Sequence, residues 1–202
     1  MSENVTGRFE EAGHRYFITA NGVERLVPSV TQILADVLPM DYGPGVGAWH
    51  KGRGSAVHAC AALIAQGKGF TNDPTIDGQV AALRKYFAEV KPVVVAAETP
   101  LYSLAYRYAG TPDLIIRQVS HKPGMVIVDF KGTVTPVVPF QLAAYSSMWP
   151  EEIRFGYGVE IREDGNYRMT ETYDLRPYKR EWMALLTTYR VRRAVGIPEK
   201  GA

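Results

Sequence analysis

Apolar positions along the chain change their period several times, and each change marks an element. In RYFITA and VERLV they alternate, and Asn21-Gly22 between them favours the positive φ angles of a tight turn, so His14–Val27 is predicted as a hairpin. After Pro28, Ser29 can cap a short helix, SVTQILADVL, that stops at Pro39. PMDYGPGVG reads as loop from its proline and glycine content. From about Arg53 to Gln66, Val57, Ala61 and Ile64 fall on one helical stripe that ends at Gly67. Asp73-Pro74 opens another helical pattern, in which Val80, Leu83, Phe87 and Val90 recur until Pro92.

Strand patterns fill the middle of the chain: VVVAAETPLYS, AYRYAG, PDLIIRQV and, after the turn HKPG, MVIVDFKG. MVIVDF is almost continuously apolar, which predicts a central strand covered on both faces. Pro139 starts a helix, FQLAAYSSMW, that ends at Pro150. Strands FGYGVEIRE and YRMTETYDL flank Asp164-Gly165-Asn166, and a last helix runs from about Pro177 to Ala194. This order predicts one α/β domain over residues 1–202, with a mixed central sheet and helices packed on both faces. There is no internal repeat and no low-complexity linker.

Composition narrows the classes. At 202 residues, 46% hydrophobic and 22% charged, the chain is expected to bury a core without staples, and wholesale disorder is excluded. Cys60 is the only cysteine, so a disulfide framework and any all-cysteine zinc or iron–sulfur site within one chain are excluded. No apolar run is long enough to span a bilayer, and the first residues lack a basic-then-apolar signal pattern, so no membrane partner and a reducing, cytoplasmic compartment are expected. The net charge of +2 hides an asymmetry: residues 176–202 hold seven basic and two acidic residues, a charge of +5 on a body of −3. Such an element is either an electrostatic footprint for a polyanion or the solvated face of a last helix.

One region concentrates chemistry. Asp129 and Lys131 are two apart on a strand pattern, so their side chains leave the same face. Burying either charge is costly without a partner or a metal. Asp113 opens the neighbouring strand pattern, and an antiparallel pair joined by HKPG would set it beside Asp129. Two adjacent carboxylates repel, and a hard divalent cation relieves the repulsion. Gln141 and Tyr145, four apart, share a helix face.

Gly110-Thr111-Pro112-Asp113, Asp129-Phe130-Lys131 and Gln141 to Tyr145, in this order, resemble the PD-(D/E)XK nuclease superfamily, in the branch with the RecB nuclease domain and phage lambda-type exonucleases. Gly54-Ser55-Ala56-Val57-His58 resembles the early-helix histidine motif of that branch. The match runs from about Gly52 to Tyr145. The resemblance implies a restriction-endonuclease-like fold, with a nuclease core over about 52–175 between the N-terminal hairpin (about 14–27) and a basic C-terminal helix (about 177–194). It implies Asp113, Asp129 and Lys131 as catalytic residues, and Mg²⁺ or Mn²⁺, one or two ions, held by Asp113, Asp129, His58 and the Phe130 carbonyl oxygen, with Glu98 as a further ligand candidate. Lys131 would orient the attacking water and offset transition-state charge. Gln141 and Tyr145 would position nucleic acid or buttress the metal site, and Arg190, Arg192 and Arg193 would neutralise phosphates.

The implied activity is a metal-dependent exodeoxyribonuclease on duplex DNA ends, used in phage-type recombination or repair in a bacterial or phage-infected cytoplasm. A homo-oligomer and a single-strand annealing partner stay open. So do an endonuclease on flapped or branched DNA, an RNA nuclease, and a non-catalytic nucleic-acid-binding module on the same fold. With Cys60 alone, the chain is not of the type that carries an iron–sulfur cluster, and without GxxxxGK[ST] it holds no helicase motor.

Each residue also has a structural reading. Asp113 could be a turn aspartate, Lys131 a solvated strand end, His58 a packed core histidine, Glu98 a solvated strand residue, and Gln141 with Tyr145 a supporting helix pair. Cys60 reads as a buried small hydrophobe; His14, His50 and His121 read as surface residues; Trp49, Trp149 and Trp182 read as packing, though Trp49 could touch a strand end.

Overall fold

A computed structural model of the chain describes residues 5–39, 48–118 and 124–199, with the side chains of residues 48–52 outside the description. The side chains of Trp49 and His50, the whole of His121, and most of the loop PMDYGPGVG and of the turn HKPG therefore lie outside the description.

The N-terminal third begins with β1 (Thr6–Glu10), β2 (Arg15–Ala20) and β3 (Val23–Val27), which form an antiparallel sheet in the order β1-β2-β3. The Asn21-Gly22 turn has φ of 52° and 74°, as the dipeptide requires. β1 was not expected, because TGRFE carries no alternating apolar signal. Helix α1 (Val30–Val37) starts at a reciprocal capping box: Ser29 Oγ accepts from the Gln32 N–H, and the Ser29 N–H donates to Gln32.

Helix α2 (Ala48–Ala65) begins several residues earlier than the apolar stripe indicated. A 3₁₀ turn at Pro74–Ile76 leads into α3 (Asp77–Val90), which ends at Lys91 in the left-handed conformation, just before Pro92. VVVAAETPLYS does not form one strand: β4 (Val93–Ala97) and β5 (Leu101–Ser103) are separated at Glu98, whose φ is 46°. β6 (Tyr108–Gly110) pairs with β5.

β7 (Leu114–Gln118) and β8 (Gly124–Lys131) form the expected antiparallel pair, with Leu114 opposite Val128. Helix α4 (Val138–Ser146) then carries the chain to β9 (Ile153–Ile161), which lies parallel to β8. YRMTETYDL divides into β10 (Tyr167–Met169) and β11 (Tyr173–Asp174), both antiparallel to β9. The last helix, α5 (Leu175–Ala194), is N-capped by Asp174.

The central sheet has the order β10-β9-β8-β7-β4, with β11 also on β9, so β8 is an interior strand as MVIVDF predicts. Alternate residues of β7 and β8 feed two cores. Ile115, Met125 and Ile127 pack with α1, α4 and α5 through Ile33, Leu142 and Trp182. Leu114, Ile116, Val126, Val128 and Phe130 pack with α2 and α3 through Val57, Leu83 and Tyr86. The fold is thus α/β, a mixed sheet with helices on both faces. No described helix is long and apolar enough to cross a membrane.

Candidate metal and catalytic site

The site forms where the C-terminal end of β8 meets the turn that enters β7. Parity places Asp129 and Lys131 on the same face of β8 as Ile127, toward α4. Asp113 lies one residue beyond the Leu114–Val128 pair and so stands across from Asp129. Both carboxylates are buried, at 7% and 1% exposure.

Asp113 is held from three directions. Its Oδ1 lies 2.7 Å from His58 Nδ1 on α2. Its Oδ2 accepts the Phe130 N–H over 2.5 Å. Its backbone carbonyl oxygen accepts the Glu98 N–H over 3.1 Å. The left-handed φ of Glu98 breaks β4 there and turns the glutamate inward, with Oε1 3.8 Å from His58 Nδ1. Donor atoms of His58, Glu98 and Asp113 all lie within 4.8 Å of one another. Glu98 has the weakest claim of the ligand candidates on spacing and motif, and the geometry brings it into the cluster.

Asp129 stands beside this trio. Its Oδ1 accepts from Lys131 Nζ at 2.9 Å. Its Oδ2 is buried and has no hydrogen-bond partner among the described residues. An orphaned carboxylate oxygen in the interior costs free energy unless something positive comes to it.

Proton affinities show the strain of so much acid in one place. Burial, with Asp113 close by, pushes Glu98 up to about 8. Burial also pushes Asp129 up, to about 6, with Lys131 opposing and Asp113 adding. For Asp113 burial acts upward too, but His58, Lys131 and the Phe130 N–H together hold it below the usual range. His58 is pulled down by burial and raised more by Asp113, for a net rise.

These residues fit a hard divalent cation: three carboxylates and one imidazole, two of the acids resisting ionisation, and one oxygen left over. His58, Glu98, Asp113 and Asp129 would hold such an ion, and the Phe130 carbonyl oxygen is the nearest backbone candidate by sequence.

Below Asp129 lies the α4 pair. Gln141 Nε2 donates to Tyr145 Oη at 3.1 Å, and both residues are buried. Burial first, then the charges of Asp129 and Asp113, push the Tyr145 hydroxyl far above its ordinary value. Tyr145 also explains Gly110: a Cβ on Gly110 would come 2.5 Å from Tyr145 Cε1.

A cleft of about 490 Å³ opens beside Lys131 and His58, lined also by Arg53, Gln79, Thr133 and Glu163. Arg53 reaches Glu163 Oε1 at 2.8 Å, and Gln79 donates to the same oxygen at 3.2 Å. A larger cavity of about 560 Å³ lies around Gly124, Arg154 and Asp174, at the opposite end of β8. Five residue steps along β8 separate Gly124 from Asp129, roughly 17 Å, so the cavity takes no part in this chemistry.

Arg190, Arg192 and Arg193 of α5 have internal partners. Arg192 Nε and Arg193 Nη2 donate to Asp36, 2.9 and 3.0 Å from its Oδ2, and Arg190 donates to the Tyr106 carbonyl oxygen. Asp36 is 2% exposed, so this is a tie between α1 and α5 rather than a row of unengaged cations. Cys60, Trp182 and Trp149 pack as expected. His14, expected at the surface, is exposed and also shares a hydrogen bond with Tyr16. Tyr16 had no sequence signal beyond its place in an alternating strand, yet its hydroxyl reaches Thr111 Oγ1 at 2.9 Å.

No protein-family model matches the chain, and no curated protein matches it significantly. Solved structures to which it is similar include LHK-Exo in complex with dAMP, at 11% identity and a TM-score of 0.48, covering 85% of this chain and 89% of that one. They also include an alkaline exonuclease (LHK-Exo) from Laribacter hongkongensis, at 12% identity and a TM-score of 0.40, covering 83% of this chain and 93% of that one.

Proposed function

We propose that the chain is a nuclease dependent on Mg²⁺ or Mn²⁺, hydrolysing phosphodiester bonds at the ends of duplex DNA. The observation that carries this reading is the convergence of His58, Glu98 and Asp113 donor atoms within 4.8 Å, beside a buried Asp129 paired to Lys131. The motif order Gly110–Asp113, Asp129–Lys131 and Gln141–Tyr145 supports phosphodiester hydrolysis, and the DNA-end preference rests on the resemblance to phage lambda-type exonucleases alone.

When bound, the ion supplies Lewis-acid polarisation of the scissile phosphate and lowers the pKa of the attacking water. The residues divide the remaining work. Asp113 is oriented by His58 and the Phe130 N–H, and the proton shared between His58 Nδ1 and Asp113 Oδ1 would give way to a bound ion. Lys131, 28% exposed at its side chain, has its amine at the border between Asp129 and the cleft. From there it orients the water and offsets negative charge that grows on the non-bridging phosphate oxygens. Gln141 and Tyr145 support the floor beneath Asp129.

The test uses linear duplex, closed circular duplex and flapped DNA, each with Mg²⁺, Mn²⁺ or EDTA. Digestion of the linear substrate alone, abolished by EDTA, is the expected result. Cutting of circles or flaps replaces the exonuclease reading with an endonuclease one. Absence of cleavage with either ion overturns the proposal.

A further inference from the structure

We infer that Tyr16, reaching in from the N-terminal sheet, is a positioning residue for the Asp113 carboxylate, holding the turn from which Asp113 leaves through a hydrogen bond to Thr111. The inference rests on the nuclease reading above and adds a part of the chain outside the motifs that led to it.

The turn from Gly110 to Asp113 is braced at nearly every residue. Gly110 lies against the Tyr145 ring. The Thr111 backbone is confined to extended conformations by the proline that follows it. The Asp113 carbonyl oxygen takes the Glu98 N–H. The Thr111 side chain is held from outside the turn by Tyr16, 95 positions away in sequence, with Oη 2.9 Å from Oγ1. The same Oη is 2.9 Å from His14 Nε2, so one phenol links the β1–β2 turn to the turn of the site. A phenol has one donor and two acceptor positions, and these two contacts use it well.

The sheet does not need this hydroxyl in order to dock. Ile18, Val27 and Ala109 form their own buried cluster around the Tyr16 ring. The Ala109 N–H donates to the Pro28 carbonyl oxygen at 3.1 Å, and Ser29 bridges to Ala109. A phenylalanine would pack as well in a position only 1% exposed. What packing leaves unexplained is an oxygen aimed at Thr111, two residues before Asp113. Burial pushes the Tyr16 hydroxyl up to about 12, so it keeps its proton and can donate. Losing a group that orients a metal ligand typically costs about 10–100-fold in affinity, so a slackened turn weakens the ion's hold.

The experiment compares Tyr16→Phe, Thr111→Val and Thr111→Ser with wild type. Calorimetry gives the Mn²⁺ dissociation constant, thermal melting in EDTA gives stability, and a Mn²⁺ titration of cleavage gives the concentration for half-maximal rate. Support for a positioning hydroxyl of this kind is a roughly tenfold weaker Mn²⁺ affinity in Tyr16→Phe and Thr111→Val. The same result requires that Thr111→Ser keep wild-type affinity and that saturating Mn²⁺ restore the rate. Wild-type Mn²⁺ affinity in Tyr16→Phe overturns the inference, whatever its melting temperature. Should Tyr16→Phe not fold, Thr111→Val removes the other side of the same bond, and unchanged affinity there overturns it equally. Wild type that neither binds Mn²⁺ nor cleaves overturns the nuclease reading and this one together. Wild type that does both, with variants matching it, overturns this one alone.

Discussion

The Phe130 N–H donates to Asp113 Oδ2 over 2.5 Å, so the carboxylate entering one strand is oriented by the backbone of the next. The bond is possible because Asp113 lies just past the end of the Leu114–Val128 ladder, where the Phe130 N–H has no ladder partner on β7. With His58 and Lys131 it holds Asp113 below the usual carboxylate range, beside Asp129, which among the described residues accepts only from Lys131. Antiparallel register thus places the two acids together, while burial raises Asp129 and the neighbouring His58 lowers Asp113.

That difference makes Lys131 the most direct residue to test. Lys131→Ala is expected to lower single-turnover cleavage by about 10²–10³-fold, the size of one lost electrostatic stabiliser. DNA affinity in Ca²⁺ should stay within about twofold, because one exposed-end cation adds little to backbone binding. Cleavage at the wild-type rate would remove Lys131 from the mechanism.

Without metal, the acids should make the protein less stable as pH rises. Glu98 at about 8 and Asp129 at about 6 lie above their ordinary 4.5 and 3.8, so the folded chain keeps protons the unfolded chain has released. Their contribution to stability therefore falls with pH, Asp129 between about 4 and 6 and Glu98 between about 4.5 and 8. His58, raised by Asp113, adds a loss as pH climbs through its folded value. Asp113 runs the other way, its contribution present above 3.8 and lost only in stronger acid. In EDTA, Glu98→Gln should match wild type near pH 4.5 and melt about 2–4 °C higher at pH 9, roughly 1 kcal/mol after solvent screening at a side chain 31% exposed. Mn²⁺ should reverse the order, since the ion stabilises the ionised glutamate. A Gln variant that melts lower than wild type at pH 9 in EDTA contradicts this assignment of strain.

Gly110 offers a test of the packing that supports the site. An alanine Cβ would lie 2.5 Å from Tyr145 Cε1 and 3.3 Å from Val30 Cγ2. Tyr145 is 4% exposed and tied to Gln141, so its ring cannot swing away without breaking that bond. Gly110→Ala should cost about 1–3 kcal/mol, the usual price of overpacking, and lower cleavage with it. Thermal melting checks the first expectation, and a melt within 1 °C of wild type would show that Tyr145 yields easily.

Much of this arrangement was legible in the residues, and the exceptions have a common cause. MVIVDF announced an interior strand because both its faces are apolar, and the two cores divide its residues alternately. Asn21-Gly22 announced its turn because few dipeptides tolerate two positive φ angles. Asp113, Asp129, His58 and Lys131 were legible through spacing and motif order. Glu98 was harder, since VVVAAETPLYS has the pattern of one strand and the break comes from a left-handed glutamate. Tyr16 and Asp36 act across 95 and more than 150 positions, on partners that no local period connects to them. Periodicity reports which face of an element is buried, and carries nothing about which distant group a buried polar atom will meet.

Asp36 carries the last prediction, and it decides what the basic end of α5 is for. The carboxylate is 2% exposed and accepts from Arg192 and Arg193, whose side chains are 28% and 25% exposed. Asp36 is buried on α1, whose Val30, Ile33 and Leu34 belong to a core cluster, so an unpaired charge there would be poorly solvated. Asp36→Asn removes the carboxylate that Arg192 and Arg193 share and should cost about 3 kcal/mol, as breaking buried ion pairs does. For a chain of this size that is a fall of about 6–12 °C in Tm. Arg192→Ala should likewise lower Tm while leaving the slope of DNA affinity against salt unchanged. If the guanidinium instead neutralised a phosphate, removing it would lower the slope by about one counterion and leave Tm alone. The two measurements move in opposite combinations, so together they separate a tie within the fold from a contact with DNA.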